Sequence, residues 1–205
     1  MDVTCLKSEL FRLLLEKSVC RGTFVLSSGA TSDLYVDAKL TTLDPRGAFL
    51  VGQIGWEIIK QTRSRLHVNV HAIGGLTMGA DPIALSIGVA AYLESMKDEI
   101  QTFTVRKAAK EHGRRKQIEG NFSPGEYVVI VDDVVTTGGS TIQAIEAVEK
   151  AGGHIAFVLV LVDREEGGKQ NIEQRGLEVV PIFTRSDIVG PNVTTRQFTE
   201  TVPVA

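Results

Sequence analysis

The sequence predicts an α/β fold, a doubly wound parallel sheet with a small N-terminal hood, and three observations carry that reading. Strand-like runs alternate with helix-like segments over about residues 61–185. The middle runs, Tyr127–Val131 and Ile155–Val162, are almost wholly apolar, as strands covered on both faces of a parallel sheet are. Acidic or glycine-rich loops follow the strands, at the edge where open α/β sheets bind ligands.

Each element has a local reason. Leu6, Leu10, Leu13 and Leu14 recur at helical spacing, predicting a first amphipathic helix. Phe24–Asp33 is rich in turn residues, with short β-like runs on either side, and Tyr35–Leu40 reads as a strand. Asp44-Pro45 is a helix start that predicts a helix to about Lys60, with Phe49, Trp56 and Ile59 on one face. His67–Ile73 reads as a strand, Gly74–Asp81 as a loop, and Pro82 as the opening of a helix that aligns Ile83, Ile87 and Ala90. Gln101–Val105 reads as a short strand and Lys107–Gly120 as a polar, basic loop. After the strand Tyr127–Val131, a helix is expected from about Ser140 to Lys150, closed by Gly152-Gly153. The strand Ile155–Val162, a charged loop 163–169, a helix or turn at Ile172–Arg175 and the strand Val179–Phe183 complete the pattern, with a polar tail beyond Thr184.

The 205 residues suit one domain, with residues 1–60 as hood elements and 61–185 as the sheet core. Lys and Arg number 22 and Asp and Glu 25, for a net charge of −3, with 43% hydrophobic and 23% charged residues. That balance excludes a disordered chain, a collagen and a general nucleic-acid glue. No apolar run approaches the roughly 20 residues of a membrane span. Lys7, Glu9, Arg12 and Glu16 interrupt any signal-peptide core. Cys5 and Cys20 form neither a C-x-x-C nor a zinc pattern, so reduced thiols and a cytoplasmic location are expected.

The densest chemical signal is Val131-Asp-Asp-Val-Val-Thr-Thr-Gly-Gly-Ser-Thr141. It puts Asp132 and Asp133 at the end of a buried strand, then a hydroxyl-glycine turn, then a helix. Successive N–H groups and hydroxyls at a helix N-terminus cradle phosphate. Two acids beside an anion pocket need another task, such as accepting hydrogen bonds from sugar hydroxyls or holding the water shell of Mg2+. Together they point to a phosphorylated sugar, with or without a metal. Neither G-x-x-x-x-G-K-[ST] nor a strand-linked G-x-G-x-x-G is present.

A second signal lies at residues 106–116, where Arg106, Lys107, Lys110, Arg114, Arg115 and Lys116 meet one acid, Glu111. Such concentrated charge in an acidic chain suits a polyanion, and Gly113 and Gly120 let the loop swing over a leaving group. A solvated charged loop and a nucleic-acid patch are the alternative readings of the same composition, although no aromatic is interleaved to stack a base. Arg164 follows the strand 155–162 on the same sheet edge, where its guanidinium could fork onto a planar carboxylate or simply sit in a charged surface loop.

Four apolar residues, two acids and V-x-T-T-G-G-S-T resemble the phosphoribosyl pyrophosphate (PRPP) motif of type I phosphoribosyltransferases. Arg106-Lys107-x-x-Lys110-x-His112-Gly113 is similar to the loop of the orotate phosphoribosyltransferase family, and Phe24-Val-Leu-Ser-Ser-Gly-x-x-Ser32 resembles its N-terminal segment. The resemblance implies a type I phosphoribosyltransferase-like fold and transfer from PRPP to orotate. It implies that Asp132 and Asp133 meet the ribose hydroxyls, and that Val134, Val135, Thr136, Thr137, Gly138, Gly139 and Ser140 belong to the PRPP site. Arg106, Lys107, Lys110 and His112 would bind diphosphate, with Lys110 catalytic alongside the acids, and Thr136 and Arg164 would bind orotate. Mg2+ would arrive through PRPP and water, with no direct protein ligand. A homodimer is implied, with loop 106–116 shared across subunits and no nucleic-acid or membrane partner.

Two departures stand out. Many relatives carry lysine where this chain has Ser27, and another in the loop matching Gly74–Ala80, which here reads Gly-Gly-Leu-Thr-Met-Gly-Ala. The backbone N–H groups of Thr77–Gly79 are expected to approach the diphosphate instead, and Tyr35 aligns with an aromatic near the base, although a core or strand aromatic reads equally from its position. A purine-using enzyme of the same class would leave Arg164 idle. A PRPP-sensing regulator would instead require a nucleic-acid-binding appendage, and no helix-turn-helix pattern is present.

Overall fold

The computed structural model describes residues 2–25, 31–96, 100–108, 117–190, 193, 195–197 and 202–203. Helix α1 (Val3–Lys17) starts where the Asp2 carboxylate accepts the Thr4 N–H at 3.0 Å. It buries Leu6, Leu10, Leu13 and Leu14, as their spacing predicts. Strands β1 (Val19–Val25) and β2 (Thr31–Val36) pair antiparallel. The strand expected over Tyr35–Leu40 is cut short, because Lys39–Thr42 forms a one-turn helix, α2. Buried hydroxyls explain the turn: Ser18 Oγ and Thr41 Oγ1 lie 2.6 Å apart, and the Asp37 N–H donates to Ser18 O at 2.9 Å. These bonds hold the chain against the end of α1.

Helix α3 (Pro45–Leu66) begins at Asp44, whose carboxylate accepts the Arg46 and Gly47 N–H groups at 2.9 and 3.0 Å. It passes the expected end at Lys60 and stops at His67, which is left-handed at φ 53°. Trp56 and Ile59 are buried, but Phe49 is 46% exposed. Phe49 stands on the rim that α3 shares with Leu85, Val89 and Leu93; Leu50, Val51 and Ile54 turn inward instead.

The core follows as β3 (Val70–Leu76), α4 (Ala80–Ser95), β4 (Gln101–Val105), β5 (Ile118–Gly120), β6 (Tyr127–Val135), α5 (Gly139–Lys150), β7 (His154–Asp163), α6 (Gly168–Glu173) and β8 (Val179–Thr184). The sheet order is β5-β4-β3-β6-β7-β8, parallel except at the β4–β5 edge. Three boundaries correct the sequence reading. Gly74 and Gly75 belong to β3 rather than the next loop, since a β-carbon there would collide with the Phe103 and Val131 carbonyls at 2.2 and 2.1 Å. Helix α4 starts at Ala80, two residues before Pro82, and buries Ile83, Ile87 and Ala90 as predicted. β5 occupies the end of the expected 107–120 loop, where Ile118 packs on the core and Gly120 (φ 96°) lies over Thr102 and Phe103.

Alternate strand residues face opposite layers, which is why the central runs are apolar throughout. Val129, Val131, Leu159 and Leu161 pack toward α1, α3 and α4, whereas Val128, Ile130, Val158 and Val160 pack toward α5 and α6. Beyond β8 come α7 (Arg185–Ile188), β9 (Arg196–Gln197) and β10 (Val202–Pro203), and both short strands pair parallel with β1. Among the described residues no helix is long and apolar enough to cross a membrane.

The chain moves outward from β3 to β4, then crosses back to β6 on the other side of β3. At that reversal the connections diverge and leave a crevice beyond the carboxyl ends of β3 and β6.

Candidate active site

A cavity of about 780 Å³ occupies this crevice, with Lys39, Gly79, Arg106, Lys107, Asp132 and Asp133 in its wall. Both acids lie inside β6, which extends four residues past its expected end at Val131. As consecutive strand residues they turn to opposite faces of the sheet. Asp132 is 5% exposed and accepts the Thr141 hydroxyl from α5 at 2.6 Å. Burial, with the neighbouring Asp133 charge adding to it, pushes the Asp132 carboxyl up to about 7, against the pull of the Thr141 hydrogen bond. Asp133 is half-buried against Gly79, where an added β-carbon would lie 2.4 Å from its Oδ1.

Thr136 and Thr137 are turned by α6, with Gly168 N–H donating to the Thr136 carbonyl at 2.9 Å and Asn171 Nδ2 to the Thr137 carbonyl at 3.0 Å. Gly138 caps α5 in the left-handed region at φ 84° and supplies no side-chain cap. The first-turn N–H groups of α5, which have no intrahelical acceptor, therefore open beside Gly139 and Ser140. Val134 and Val135 turn their side chains into the two core layers; the Val135 carbonyl accepts the Arg164 N–H at 2.9 Å. That bond brings the end of β7 against the end of β6.

Arg164 is 5% exposed, which replaces the picture of a surface arginine. Its Nη2 donates to Ser32 Oγ at 2.9 Å and to Glu166 Oε1 at 2.6 Å. Its buried Nε has no hydrogen-bond partner among the described residues. An orphaned buried donor costs about 1–3 kcal/mol, which a carboxylate ligand would recover. Tyr35 packs on Phe24 with ring centroids 5.5 Å apart.

Arg106 and Lys107 reach the cavity from the end of β4, and Arg106 Nη1 lies 3.9 Å from Glu119. Lys110, His112 and Ser27 lie outside the described residues. The expectation for Thr77–Gly79 needs correction at Thr77, whose N–H donates to the Val105 carbonyl at 2.8 Å. Asp81 further fixes this turn by accepting the Thr77 and Thr104 hydroxyls at 2.7 and 2.5 Å.

Sequence reasoning missed Ser32, Lys39 and Asp81. Ser32 ended a quoted motif but touches Arg164 only through the fold. Lys39 was hidden in an expected strand, and Asp81 in an expected loop. Among the described residues no three His, Cys, Asp or Glu side chains gather to ligate a metal. Two adjacent carboxylates on a cavity wall suit a Mg2+ ion carried in by ligand oxygens and water.

Residues 51–192 match the Phosphoribosyl transferase domain family. The orotate phosphoribosyltransferase of Aquifex aeolicus (strain VF5) is 41% identical over 186 residues, covering 89% of this chain and 97% of its own. Among solved structures, Mycobacterium tuberculosis H37Rv orotate phosphoribosyltransferase with Fe(III) dicitrate is 36% identical with a TM-score of 0.76, over 89% of this chain and 98% of its own. The same enzyme in complex with PRPP is 30% identical with a TM-score of 0.67, over 90% of each chain.

Proposed function

The chain belongs to the phosphoribosyltransferase family, among its orotate phosphoribosyltransferases, and from that we propose that it transfers the 5-phosphoribosyl group of PRPP to N1 of orotate in pyrimidine biosynthesis. The products are orotidine 5′-monophosphate and diphosphate. The observation that carries the reading is the convergence of the acid pair, the α5 phosphate cradle and buried Arg164 on one end of adjoining strands.

The α5 turn, Thr136–Ser140, holds the 5′-phosphate through backbone N–H groups and hydroxyls, while the Thr141 hydroxyl stays on Asp132. Asp132 and Asp133 accept hydrogen bonds from the ribose hydroxyls and fix the ring, so that base and leaving group lie on opposite faces of C1. Arg164 holds the orotate carboxylate, supported by its unsatisfied Nε and by the Ser32 brace. The C1–O bond to diphosphate breaks as the N1–C1 bond forms, through an oxocarbenium-like ribose. The proton on N1 of orotate leaves as the N1–C1 bond forms, to water or to an oxygen of the departing diphosphate, which is the strongest base the step releases. Arg106, Lys107, Lys110 and His112 neutralise the departing diphosphate, and Lys110 donates a hydrogen bond to its oxygen. Asp132 and Asp133 are the residues that would hold a Mg2+ ion brought in with PRPP, through water, and the ion would add to the charge neutralisation.

We place the reaction in a homodimer, each loop 106–116 serving the partner's crevice, and in the cytoplasm. An exposed apolar surface of Phe49, Leu85, Val89, Tyr92 and Leu93 on α3 and α4 supports association. Diphosphate release measured with PRPP and a panel of bases tests the reading. Turnover confined to orotate is expected; turnover with a purine and none with orotate would overturn it.

A further inference from the structure

We propose that Lys39 binds the diphosphate of PRPP from the hood side of the crevice, an inference that rests on the PRPP reading above. Lys39 opens α2 and lines the cavity together with Met78, Gly79 and Asp133. The opposite rim, Gly74–Ala80, carries no Lys, Arg or His. That rim also spends its Thr77 N–H on Val105, and the Asp133 carboxylate packs against Gly79. A multiply charged anion settling there would face a carboxylate with no cation on the same rim. Lys39 offsets this charge: it lines the same cavity as Asp133, and its ammonium pairs with Asp37 at 2.9 Å.

The Lys39–Asp37 pair is itself weak ground for a purely structural role. The two side chains are 45% and 26% exposed, and water screens such pairs. An ammonium has three donors, so the Asp37 bond leaves donors for phosphate oxygens.

Steady-state kinetics and calorimetric binding of inorganic diphosphate with Mg2+ test the assignment on the full chain. Lys39→Gln is expected to weaken diphosphate binding and raise the PRPP KM by about tenfold or more, as loss of a charge-assisted contact does. The orotate KM should stay within about twofold, and Lys39→Arg should recover most of the loss. Asp37→Asn breaks the same ion pair but keeps the charge, so its PRPP KM should match the unsubstituted protein. Equal losses in Lys39→Gln and Asp37→Asn, or an unchanged PRPP KM in Lys39→Gln, would overturn the role of Lys39 while leaving the transferase reading intact. An unsubstituted protein that neither binds diphosphate nor turns over any base would overturn both.

Discussion

Asp132 binds its proton more tightly in the folded chain than in the unfolded one, since burial lifts its carboxyl from 3.8 to about 7. Linkage then gives the sign. The stabilisation is fully present below about pH 4, is lost as pH climbs toward 7, and leaves an ionised buried carboxylate above that. Asp132→Asn keeps an acceptor for Thr141 and removes the titration. Its ligand-free Tm at pH 8 should exceed that of the unsubstituted protein by roughly 2–12 °C, from a gain on the order of 1–3 kcal/mol. The difference should shrink at pH 5, as scanning calorimetry would show, and turnover should fall about 100-fold because a ribose contact is weakened. Arg164 allows a second residue-scale outcome. Arg164→Ala should raise the orotate KM by about 10–100-fold with little change for PRPP, and Arg164→Lys should not restore it, because an ammonium cannot fork onto a planar carboxylate. Steady-state titration of each substrate checks both variants.

Glycine spacing controls how the elements meet. On α3, a β-carbon at Gly52 would sit 2.5 Å from the Ser86 carbonyl, and one at Gly55 would sit 2.6 Å from Ile87 Cδ1. Gly52→Ala must therefore push α3 from α4 at a cost of about 1–3 kcal/mol, read as a Tm drop of roughly 2–12 °C with the fold retained by circular dichroism. The elements readable from sequence were those with strong local signals. The Asp44-Pro45 start, the leucines of α1 and the apolar runs of β6 and β7 all have short-range causes. Helix α2 and strand β5 have long-range ones. α2 exists because Thr41 meets Ser18 across 23 residues, and β5 because residues 118–120 find the free edge of β4. No window of sequence contains those partners.

At the scale of the molecule, the apolar surface on α3 and α4 and the basic loop bear on the same question. If loops serve neighbouring crevices, mixing inactive Lys110→Ala protomers with inactive Asp133→Asn protomers creates heterodimers with one intact site. An equimolar mixture should recover roughly a quarter of full activity, the share expected for random pairing in a two-fold dimer. Leu93→Glu, on the exposed outer side of α4, should instead yield monomers by analytical ultracentrifugation. The order of acids, hydroxyls and glycines in residues 131–141, the cations from 106 to 116 and the buried strand pattern are local facts, and the chain carries them before it folds. From these the fold class and the chemistry of a phosphorylated sugar could be read. Whether a charge is exposed or enclosed depends on distant segments. Only the tertiary structure buried Asp132 and Arg164, brought Ser32 across 132 residues to brace that arginine, and set Lys39 in the same cavity wall as Asp133. Desolvation and charge proximity are properties of three-dimensional neighbours, and sequence separation does not encode them.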